Sequence, residues 1–477
     1  MSAGRPPEFS TVHAPLKWWA QIRPQRLALH DGAGRLDFAS LSQQVEAQAA
    51  ALQQSGAPAI CWTQDSASPL LQLRSFLSIL AADRTAAVSD PDWPPAVHDQ
   101  VLARVADSAS SADQMHGPAP SKADSPFYIG FTSGSSGLPK GFRRSHASWT
   151  SSFDVCLQSF GDAARETILV PGRLSHSLFL FGAMLGLWTG AGVRLQARFS
   201  AAAALETLAR GEAGAMVAVP SQLILMLDLV QRRAMPAIAN VRLLLIGGAP
   251  WNRARTPELQ ALFPQARIIE FYGASETSFI AWTDSDSTLP DHVVGRPFAN
   301  VELRIDASAP DQPGLIYVRS PMVFSDYVTV APDDEPAALL RDGDWLSVRD
   351  VGRLDEHGRL HLFGRQQRML LTQGKNLFPE EVENIIAAHP AVEAASVQGI
   401  PDAVRGVQIA VLLRLSADTS VEQLQTWCRA RLEPYKIPRS FYVCSDWLRT
   451  ASGKSDHTRL GRLLRDAPES LQLLNSR

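Results

Sequence analysis

The most informative part of the sequence is Phe131-Thr132-Ser133-Gly134-Ser135-Ser136-Gly137-Leu138-Pro139-Lys140-Gly141. It follows an apolar run, residues 127–130, that predicts a β-strand. Glycines allow backbone N–H groups to turn toward an anion, hydroxyls add hydrogen-bond donors, and Lys140 adds a positive charge. This composition suits a polyphosphate, although a flexible surface loop can contain the same residue types. A common P-loop is excluded, because that pattern needs glycine directly before the lysine and this chain has Pro139.

Strand and helix patterns alternate on both sides of this loop. The predicted strands cover residues 27–30, 59–63, 86–88, 167–171, 215–220 and 241–246, and helical patterns such as residues 70–82 separate them. This alternation predicts a layered α/β domain. Residues 103–125 are rich in Ala, Ser, Asp and Pro and predict a loop. Short β-rich segments over residues 293–330 predict a small barrel or sheet.

The composition is that of an ordinary soluble globular protein, with 45% hydrophobic and 19% charged residues in a chain of 477. That length is enough for more than one domain. A formal net charge of −3 gives no reason to expect a nucleic acid or an anionic membrane as partner. The four scattered cysteines lack metal-ligand spacing and indicate free thiols in a reducing compartment. The longest apolar stretch, residues 178–188, is too short to span a bilayer, so we expect a cytoplasmic enzyme.

The loop resembles the phosphate loop of the adenylate-forming superfamily, which includes acyl- and aryl-CoA ligases, amino-acid-activating domains and beetle luciferases. The family form is roughly Tyr-Thr-Ser-Gly-Thr-Thr-Gly-x-Pro-Lys-Gly. In this chain Phe131 replaces the tyrosine, and serines replace two threonines. The resemblance implies that the phosphates of ATP are bound by Thr132, Ser133, Gly134, Ser135, Ser136, Gly137 and Lys140. The part of the chain that precedes the loop is expected to be shorter than is common in such families.

Two further motifs follow in the family order. Gly247-Gly248-Ala249-Pro250 ends a predicted strand, and on its own it indicates only a turn. The family's equivalent loop lies against adenine, which implies that role for Gly248, Ala249 and Pro250.

Tyr272-Gly273-Ala274-Ser275-Glu276-Thr277 resembles the family motif Tyr-Gly-x-Thr-Glu. The resemblance implies that Tyr272 stacks on adenine with Gly273 beside it, that Ser275 reaches phosphate, and that Glu276 holds Mg²⁺. A carboxylate is a ligand that Mg²⁺ prefers. Without the family, Ser275–Thr277 would be a possible helix start.

The sequence around Asp350 resembles the family motif Trp-x-x-Thr-Gly-Asp-x-Gly, with Arg349 in place of the usual glycine. The resemblance implies that Asp350 binds both ribose hydroxyls, a task that suits the two acceptor oxygens of a carboxylate. Arg365 matches a family arginine that contacts ribose or phosphate.

In the family, the boundary between the two domains lies at this point of the sequence. The resemblance therefore implies an N-terminal adenylation domain over residues 1–364, with layered α/β subdomains and a small β-barrel-like part. Residues 365–477 would form a small, mobile α+β lid. Its hinge would be Gln367, where the family usually has Asp or Lys.

Two motifs lie in this predicted lid. Residues 374–383 resemble Gly-x-Asn-Ile-x-Pro-x-Glu-Val-Glu, which implies that the turn at Gly374 forms part of the thiol tunnel. Residues 449–454 resemble Pro-x-Thr-x-Ser-Gly-Lys, with Arg449 directly before the threonine. This implies that Lys454 closes over the acyl carboxylate and the α-phosphate.

His176 lies between a predicted strand and an apolar helix, and a lone histidine in such a place is usually structural. In the CoA ligases a histidine here borders the acyl pocket, which implies a functional role as the alternative. The small residues Gly182, Ala183 and Gly186 would either leave space for an acid chain or allow close packing of the helix.

Taken together, the resemblance implies an AMP-forming acid–thiol ligase that uses ATP, Mg²⁺ and CoA. A fatty or aryl acid would be activated to acyl-AMP and transferred to CoA, with Lys454, Glu276 and His176 as the catalytic residues. One alternative is a stand-alone enzyme that loads the phosphopantetheine of a carrier protein. Another is a non-catalytic acyl-nucleotide-binding protein.

Overall fold

The computed structural model describes residues 7–64, 68–112, 120–132, 138–309, 312–328, 339–372, 375–402, 406–450 and 454–474. The chain forms two compact units. The first comprises Met1–Ser287, Gly295–Glu302 and Val318–Leu346, and the second comprises Thr288–Val294, Leu303–Tyr317 and Ser347–Arg477. The boundary expected at residues 364 and 365 concerns which segment moves, so it stays a prediction.

The helices begin where their sequences supply caps. The side chains of Asp37, Ser68, Ser145 and Ser200 each accept a hydrogen bond from a backbone N–H of the first turn that follows. The helices of the described residues are α1 (Pro15–Ile22), α2 (Phe38–Gln54), α3 (Pro69–Ala81), α4 (Pro95–Ala112), α5 (His146–Phe160), α6 (Ser177–Trp188), α7 (Ala201–Ala209), α8 (Pro220–Arg233), α9 (Thr256–Leu262), α10 (Pro379–Ala387), α11 (Val421–Arg429) and α12 (His457–Asp466).

The strands of the described residues are mostly short. They are β1 (Leu27–His30), β2 (Arg35–Asp37), β3 (Ile60–Trp62), β4 (Thr85–Ala87), β5 (Pro126–Thr132), β6 (Lys140–Ser145), β7 (Ile168–Val170), β8 (Val193–Leu195), β9 (Ala215–Ala218), β10 (Leu243–Ile246), β11 (Arg267–Ala274), β12 (Ser278–Asp284), β13 (Val293–Pro297), β14 (Glu302–Asp306), β15 (Gly314–Arg319), β16 (Asp326–Tyr327), β17 (Leu340–Asp342), β18 (Trp345–Ser347), β19 (Asp350–Leu354), β20 (Leu360–Arg365), β21 (Leu370–Thr372), β22 (Lys375–Leu377), β23 (Val392–Asp402), β24 (Gly406–Leu415), β25 (Ser440–Val443) and β26 (Gln472–Leu473).

Two sheets organise the first unit. One contains the order β2-β1-β8-β7-β9-β10-β11-β12, in which β1, β8, β7, β9, β10 and β11 are parallel. The other has the order β16-β6-β5-β4-β3. Leu205 of α7, Met226 of α8 and Leu259 of α9 share a core with Met216 and Leu244 of the first sheet. The parallel strands are therefore covered by helices, which explains their continuous apolar sequences and confirms the predicted α/β fold.

The glycines of α6 serve close packing. A Cβ atom added at Gly182 would lie 2.7 Å from a side-chain carbon of Val217, and one at Gly186 would lie 2.7 Å from the carbonyl oxygen of Gly192. Such contacts are too short for any side chain. Of the two interpretations of these glycines, the structure therefore supports close packing over space for an acid chain.

The second unit contains a four-stranded sheet of order β23-β24-β25-β26. Alternate residues of β24 point to opposite faces. Val411 belongs to the core that includes residues of α10 and α11, whereas Leu412 belongs to the core that includes Leu460 of α12. Antiparallel strands β19 and β20 lie in the same unit, and β15 pairs with β19. The expected β-rich segments over residues 293–330 are β13 to β16.

The prediction of a loop over residues 103–125 is wrong in its first part, because α4 continues to Ala112. Val101 and Val105 are one helical turn apart and pack with Ala87 and Ile129. That contact stabilises the helix despite the polar residues that follow.

All four cysteines are buried and reduced: Cys61 and Cys156 in the first unit, and Cys428 and Cys444 in the second. Among the residues that the structure describes, each helix is too short or too polar to cross a bilayer.

Candidate active site

The predicted phosphate loop connects two antiparallel strands. Thr132 at the end of β5 pairs with Lys140 at the start of β6, so the two ends of the loop lie side by side. Lys140 is half-buried, and its Nζ lies 6.0 Å from the ring centroid of Tyr327. The predicted ligands Ser133, Gly134, Ser135, Ser136 and Gly137 lie outside the described residues.

Glu276 lies in the turn between β11 and β12. The backbone N–H of Ala274 donates to Thr277 Oγ1 at 3.2 Å, and Ser278 has a φ of +60°. A Cβ atom at Gly273 would lie 1.9 Å from the carbonyl oxygen of Ser278, so this crossing requires glycine. The segment is therefore a strand-to-strand turn, and the alternative of a helix start is wrong.

The Glu276 carboxylate accepts a hydrogen bond from the Tyr327 hydroxyl at 2.7 Å. Glu276 is half-buried, and it forms no ion pair within the described part of the chain. That part also lacks any group of three or more His, Cys, Asp or Glu residues that could hold a metal ion. A single oriented carboxylate fits Mg²⁺, which is commonly bound by one or two carboxylates together with substrate phosphates.

Tyr327 is a site residue that the sequence did not reveal. It lies on β16, which pairs with β6 and places Tyr327 opposite Phe142. The pairing is reinforced by Arg143, which donates to both carboxylate oxygens of Asp326, from Nε at 2.8 Å and from Nη2 at 2.5 Å. More than 180 residues separate the two strands along the chain, so no local pattern could predict the contact.

Three predicted site segments follow the carboxyl ends of parallel strands. His176 follows β7, Gly248 follows β10, and Tyr272 lies near the end of β11. These strands are parallel and joined through β9, so the segments lie along one edge of the sheet, where α/β proteins commonly bind ligands. Gly248 has a φ of +82°, and Ala249 and Pro250 beside it are exposed. The adenine role of these residues stays a prediction.

His176 is the N-cap residue directly before helix α6. Its carbonyl oxygen accepts hydrogen bonds from the backbone N–H groups of Phe179 and Leu180, at 3.0 and 3.1 Å. Its ring is half-buried and meets the Phe179 ring edge-on, with centroids 6.2 Å apart. The main chain of His176 is thus structural, and the acyl-pocket role of its side chain stays a prediction.

Asp350 and Arg365 lie opposite each other on β19 and β20, with Arg365 Nε 3.3 Å from Asp350 Oδ1. Asp350 is buried, whereas the Arg365 side chain is 63% exposed. The predicted ribose ligand Asp350 and Arg365, which is predicted to contact ribose or phosphate, therefore form one charged pair. The neighbouring Arg349 has a φ of +63°, which explains why the family usually has glycine there. Arg349 Nη1 donates to Gln366 Oε1 at 2.9 Å, next to the predicted hinge residue Gln367.

An ionic network begins at Arg368, the last residue of the short 3₁₀ turn Gln366–Arg368 that contains the predicted hinge residue Gln367. Arg368 donates to Glu380 Oε1 at 3.0 Å and to both carboxylate oxygens of Glu383, at 2.6 and 3.0 Å. His457 Nδ1 lies 3.2 Å from Glu383 Oε1. Burial would raise the pKa of Glu383, but the hydrogen bond from His457 and the charge of Arg368 outweigh it and lower the pKa to about 2. We refer to Arg368, Glu380, Glu383 and His457 as the lid network.

Lys454 is exposed at the end of a loop whose base is hydrogen-bonded. The Thr450 N–H donates to the Lys454 carbonyl at 2.8 Å, and the Asp456 N–H donates to the Leu448 carbonyl at 2.9 Å. The next residue after Asp456 is His457 of the lid network, so the base of the lysine loop is joined to that network. The predicted tunnel residue Gly374 lies outside the described residues.

Comparison with known proteins places the whole arrangement in a family. The AMP-binding enzyme family model matches residues 63–328, and the model of the AMP-binding enzyme C-terminal domain matches residues 381–454. The uncharacterized acyl–CoA ligase YhfT of Bacillus subtilis is 35% identical over 387 residues, which cover 80% of this chain and 76% of the relative. The 2-succinylbenzoate–CoA ligase of Bacillus velezensis is 30% identical over 339 residues, covering 70% and 68%.

Solved structures share the fold. The o-succinylbenzoate CoA synthetase MenE of Bacillus subtilis, in complex with the acyl-adenylate intermediate OSB-AMP, matches with a TM-score of 0.79 at 24% identity, covering 94% of this chain and 97% of MenE. The same enzyme in complex with ATP and magnesium also matches with a TM-score of 0.79, covering 94% and 98%. Because the first family model spans more than half of the sequence and the second covers the region that ends at Lys454, this chain belongs to the AMP-binding enzyme family.

Proposed function

We propose that this protein activates a carboxylic acid with ATP and then transfers the acyl group to the thiol of CoA. The observation that carries the proposal is that the first family match contains the phosphate loop, His176 and Glu276, and the second ends at Lys454. The relatives named as acyl–CoA and 2-succinylbenzoate–CoA ligases support CoA as the acceptor.

In the first half-reaction, a carboxylate oxygen attacks the α-phosphorus of ATP, the bond between the α- and β-phosphates breaks, and pyrophosphate leaves. Attack brings two anions together, so the charges of Lys140 and Lys454 reduce the barrier. Bound to Glu276, Mg²⁺ would neutralise part of the phosphate charge. The nucleoside would be held by Tyr272, Asp350 and Arg365, while Thr132, Ser133–Gly137 and Ser275 donate to phosphate oxygens. His176 would border the acid.

In the second half-reaction, the thiol sulfur attacks the acyl carbon, the bond to the phosphate oxygen of AMP breaks, and the thiol proton is released. Rotation of residues 365–477 about Gln367 would withdraw Lys454 and bring the turn at Gly374 to the thiol. No covalent enzyme intermediate is needed, so the protein contributes positioning and electrostatic stabilisation.

The test is acid-dependent release of pyrophosphate, measured over a panel of long-chain fatty, aryl, succinylbenzoate-type and amino acids. Each acid is supplied with CoA, with a phosphopantetheinylated carrier protein, or with neither. We expect release with at least one acid and a thioester on CoA. A thioester found only on the carrier protein would show that the acceptor is the carrier protein and not CoA. ATP binding without release for any acid would favour a non-catalytic nucleotide-binding protein.

A further inference from the structure

Arg144, near the end of β6, is the largest fully buried side chain of the described residues. It lies outside the residues to which a role in binding has been given above. Its side chain forms no ion pair with a carboxylate within the described part of the chain. Burial lowers its pKa to about 10, against the opposing charge of Glu276, so Arg144 is a cation at neutral pH. A buried charge of this kind requires strong hydrogen bonds to offset its loss of hydration.

The guanidinium donates these hydrogen bonds to neutral acceptors. Nη1 donates to the Ser275 carbonyl at 2.8 Å, Nη2 donates to the Met322 carbonyl at 2.6 Å, and Nε donates to Ser148 Oγ at 3.2 Å. The fork geometry of arginine allows one side chain to bind two separate carbonyls. A neutral replacement would leave the buried Met322 carbonyl and the partly buried Ser275 carbonyl without this donor.

The two carbonyls belong to the two segments that hold Glu276. Ser275 directly precedes Glu276. Met322 lies two residues before Phe324, whose N–H donates to the Glu276 carbonyl at 2.7 Å. The same segment continues to Tyr327, whose hydroxyl donates to the Glu276 carboxylate. Arg144 therefore ties together the segments that fix Glu276 at both its main chain and its carboxylate.

We infer that Arg144 is a positioning residue for magnesium: by bridging Ser275 and Met322 it holds the Glu276 carboxylate in the orientation that binds Mg²⁺ with ATP. This inference rests on the proposed function, because Glu276 is the magnesium ligand of that function. The competing explanation is that Arg144 only stabilises the core of the first unit.

Binding of ATP at graded Mg²⁺ concentrations, measured by titration calorimetry without any acid, separates the two explanations. We expect R144M to need about tenfold more Mg²⁺ for half-maximal ATP binding, equivalent to ~1.4 kcal/mol. Its ATP binding without Mg²⁺ should equal that of the wild type. R144K keeps the charge but cannot span both carbonyls, so its shift should be intermediate. The control S148A removes the third hydrogen bond of the same guanidinium and should leave the Mg²⁺ dependence unchanged.

Thermal unfolding is recorded for every variant. An R144M protein that melts at a lower temperature but has the Mg²⁺ dependence of the wild type would overturn the inference and leave the proposed function intact. If R144M does not fold, R144K decides in the same way. An equal shift in S148A would also overturn the inference, because a general loosening of the core would then explain it. Wild-type protein that binds ATP without any Mg²⁺ dependence would overturn both the inference and the metal role of Glu276.

Discussion

Each unit contains an arginine near a candidate functional residue, fully buried in the first unit and partly buried in the second, but the two arginines are satisfied in opposite ways. Arg144 of the first unit donates to two carbonyls and a hydroxyl. Arg368 of the second unit donates to two carboxylates, one of which also lies 3.2 Å from His457. The first arrangement holds the main chain around Glu276, whose carboxylate forms no ion pair among the described residues. In the second, the carboxylates of Glu380 and Glu383 are both paired with Arg368.

The difference teaches what each unit has to do. A site for a cation must keep a carboxylate without an internal cation, so the charge that orders the surrounding segments has to be bound by neutral groups. The lid proposed above would need internal connections that do not depend on a ligand. The lid network connects the turn Gln366–Arg368, α10 and the base of the lysine loop.

The largest expected effect separates the roles of the two units. We expect K454A to lower the rate of acyl-adenylate formation by about 10³-fold, equivalent to ~4 kcal/mol, because a cation that offsets charge in the transition state is lost. Its affinity for ATP should remain near that of the wild type. E276Q, in contrast, should lose most of the Mg²⁺ dependence of ATP binding. Calorimetry and acid-dependent pyrophosphate release measure the two effects, and full-rate adenylation by K454A would refute its assignment.

Removing one carboxylate of the lid network while keeping Arg368 should lower the free energy of unfolding. We expect E383Q to lower the free energy of unfolding by about 3 kcal/mol, because the charge of the buried Glu383 is removed and the partly buried Arg368 is left with one carboxylate instead of two. The matched control is E302Q, which removes the carboxylate of the exposed Arg319–Glu302 pair and should have no measurable effect. Urea unfolding followed by fluorescence measures both variants. Equal stability of E383Q and wild type would show that the network contributes specificity rather than stability.

The two units should respond to acid in different pH ranges. Burial lowers the pKa of His146 to about 3 and that of His13 to about 4, from an ordinary value of 6.5. Both are neutral when folded, so protonation favours the unfolded state, and the first unit loses stability as the pH falls below 6.5. The contribution of Glu383 is present above pH 4.5 and is lost only as the pH falls from there toward 2.

Between pH 6.5 and 5, His146 alone should account for a loss of about 2 kcal/mol. H146Q should therefore show a flatter dependence of unfolding free energy on pH than the wild type over this range, while E383Q should keep the wild-type slope. Parallel curves for H146Q and wild type would show that His146 is not buried in its neutral form.

The smallest expected effect on stability concerns Arg349, which is hydrogen-bonded to the residue before the predicted hinge residue Gln367. R349G and R349A both lose the hydrogen bond to Gln366, but only alanine retains the cost of a positive φ. We expect R349G to be more stable than R349A by about 1 kcal/mol. Thermal unfolding of the pair measures this difference. Alanine as stable as glycine would indicate that the main chain at this position relaxes to a negative φ.

Contiguous motifs made much of this protein predictable. The strand before the phosphate loop and the motifs around Glu276 and Lys454 each depend on neighbouring residues, and the family they indicate is confirmed. The end of α4 was missed because local polarity suggested a loop, whereas burial of Val101 and Val105 against distant strands stabilises the helix.

The supporting residues of the site could not be predicted. Arg144, Tyr327 and Arg368 belong to no motif that we recognised. The two carbonyls that Arg144 binds and the carboxylate that Tyr327 binds lie 51 to 178 residues away in sequence. Arg349 was noticed as a departure from the family pattern, but its positive φ and its bond to Gln366 required the three-dimensional structure. Sequence thus predicts which groups meet the substrates, and the three-dimensional structure shows which other groups hold those residues in place.

The buried cysteines allow the opening rate of each unit to be measured separately. Burial raises the pKa of every one of these thiols, to about 11 for Cys428, so the reactive thiolate is scarce in the folded protein. Alkylation of the fully buried Cys156 therefore requires opening of the first unit, and alkylation of the fully buried Cys428 requires opening of the second. Mass spectrometry of the alkylated peptides over time would report two opening rates from one sample, without any engineered label.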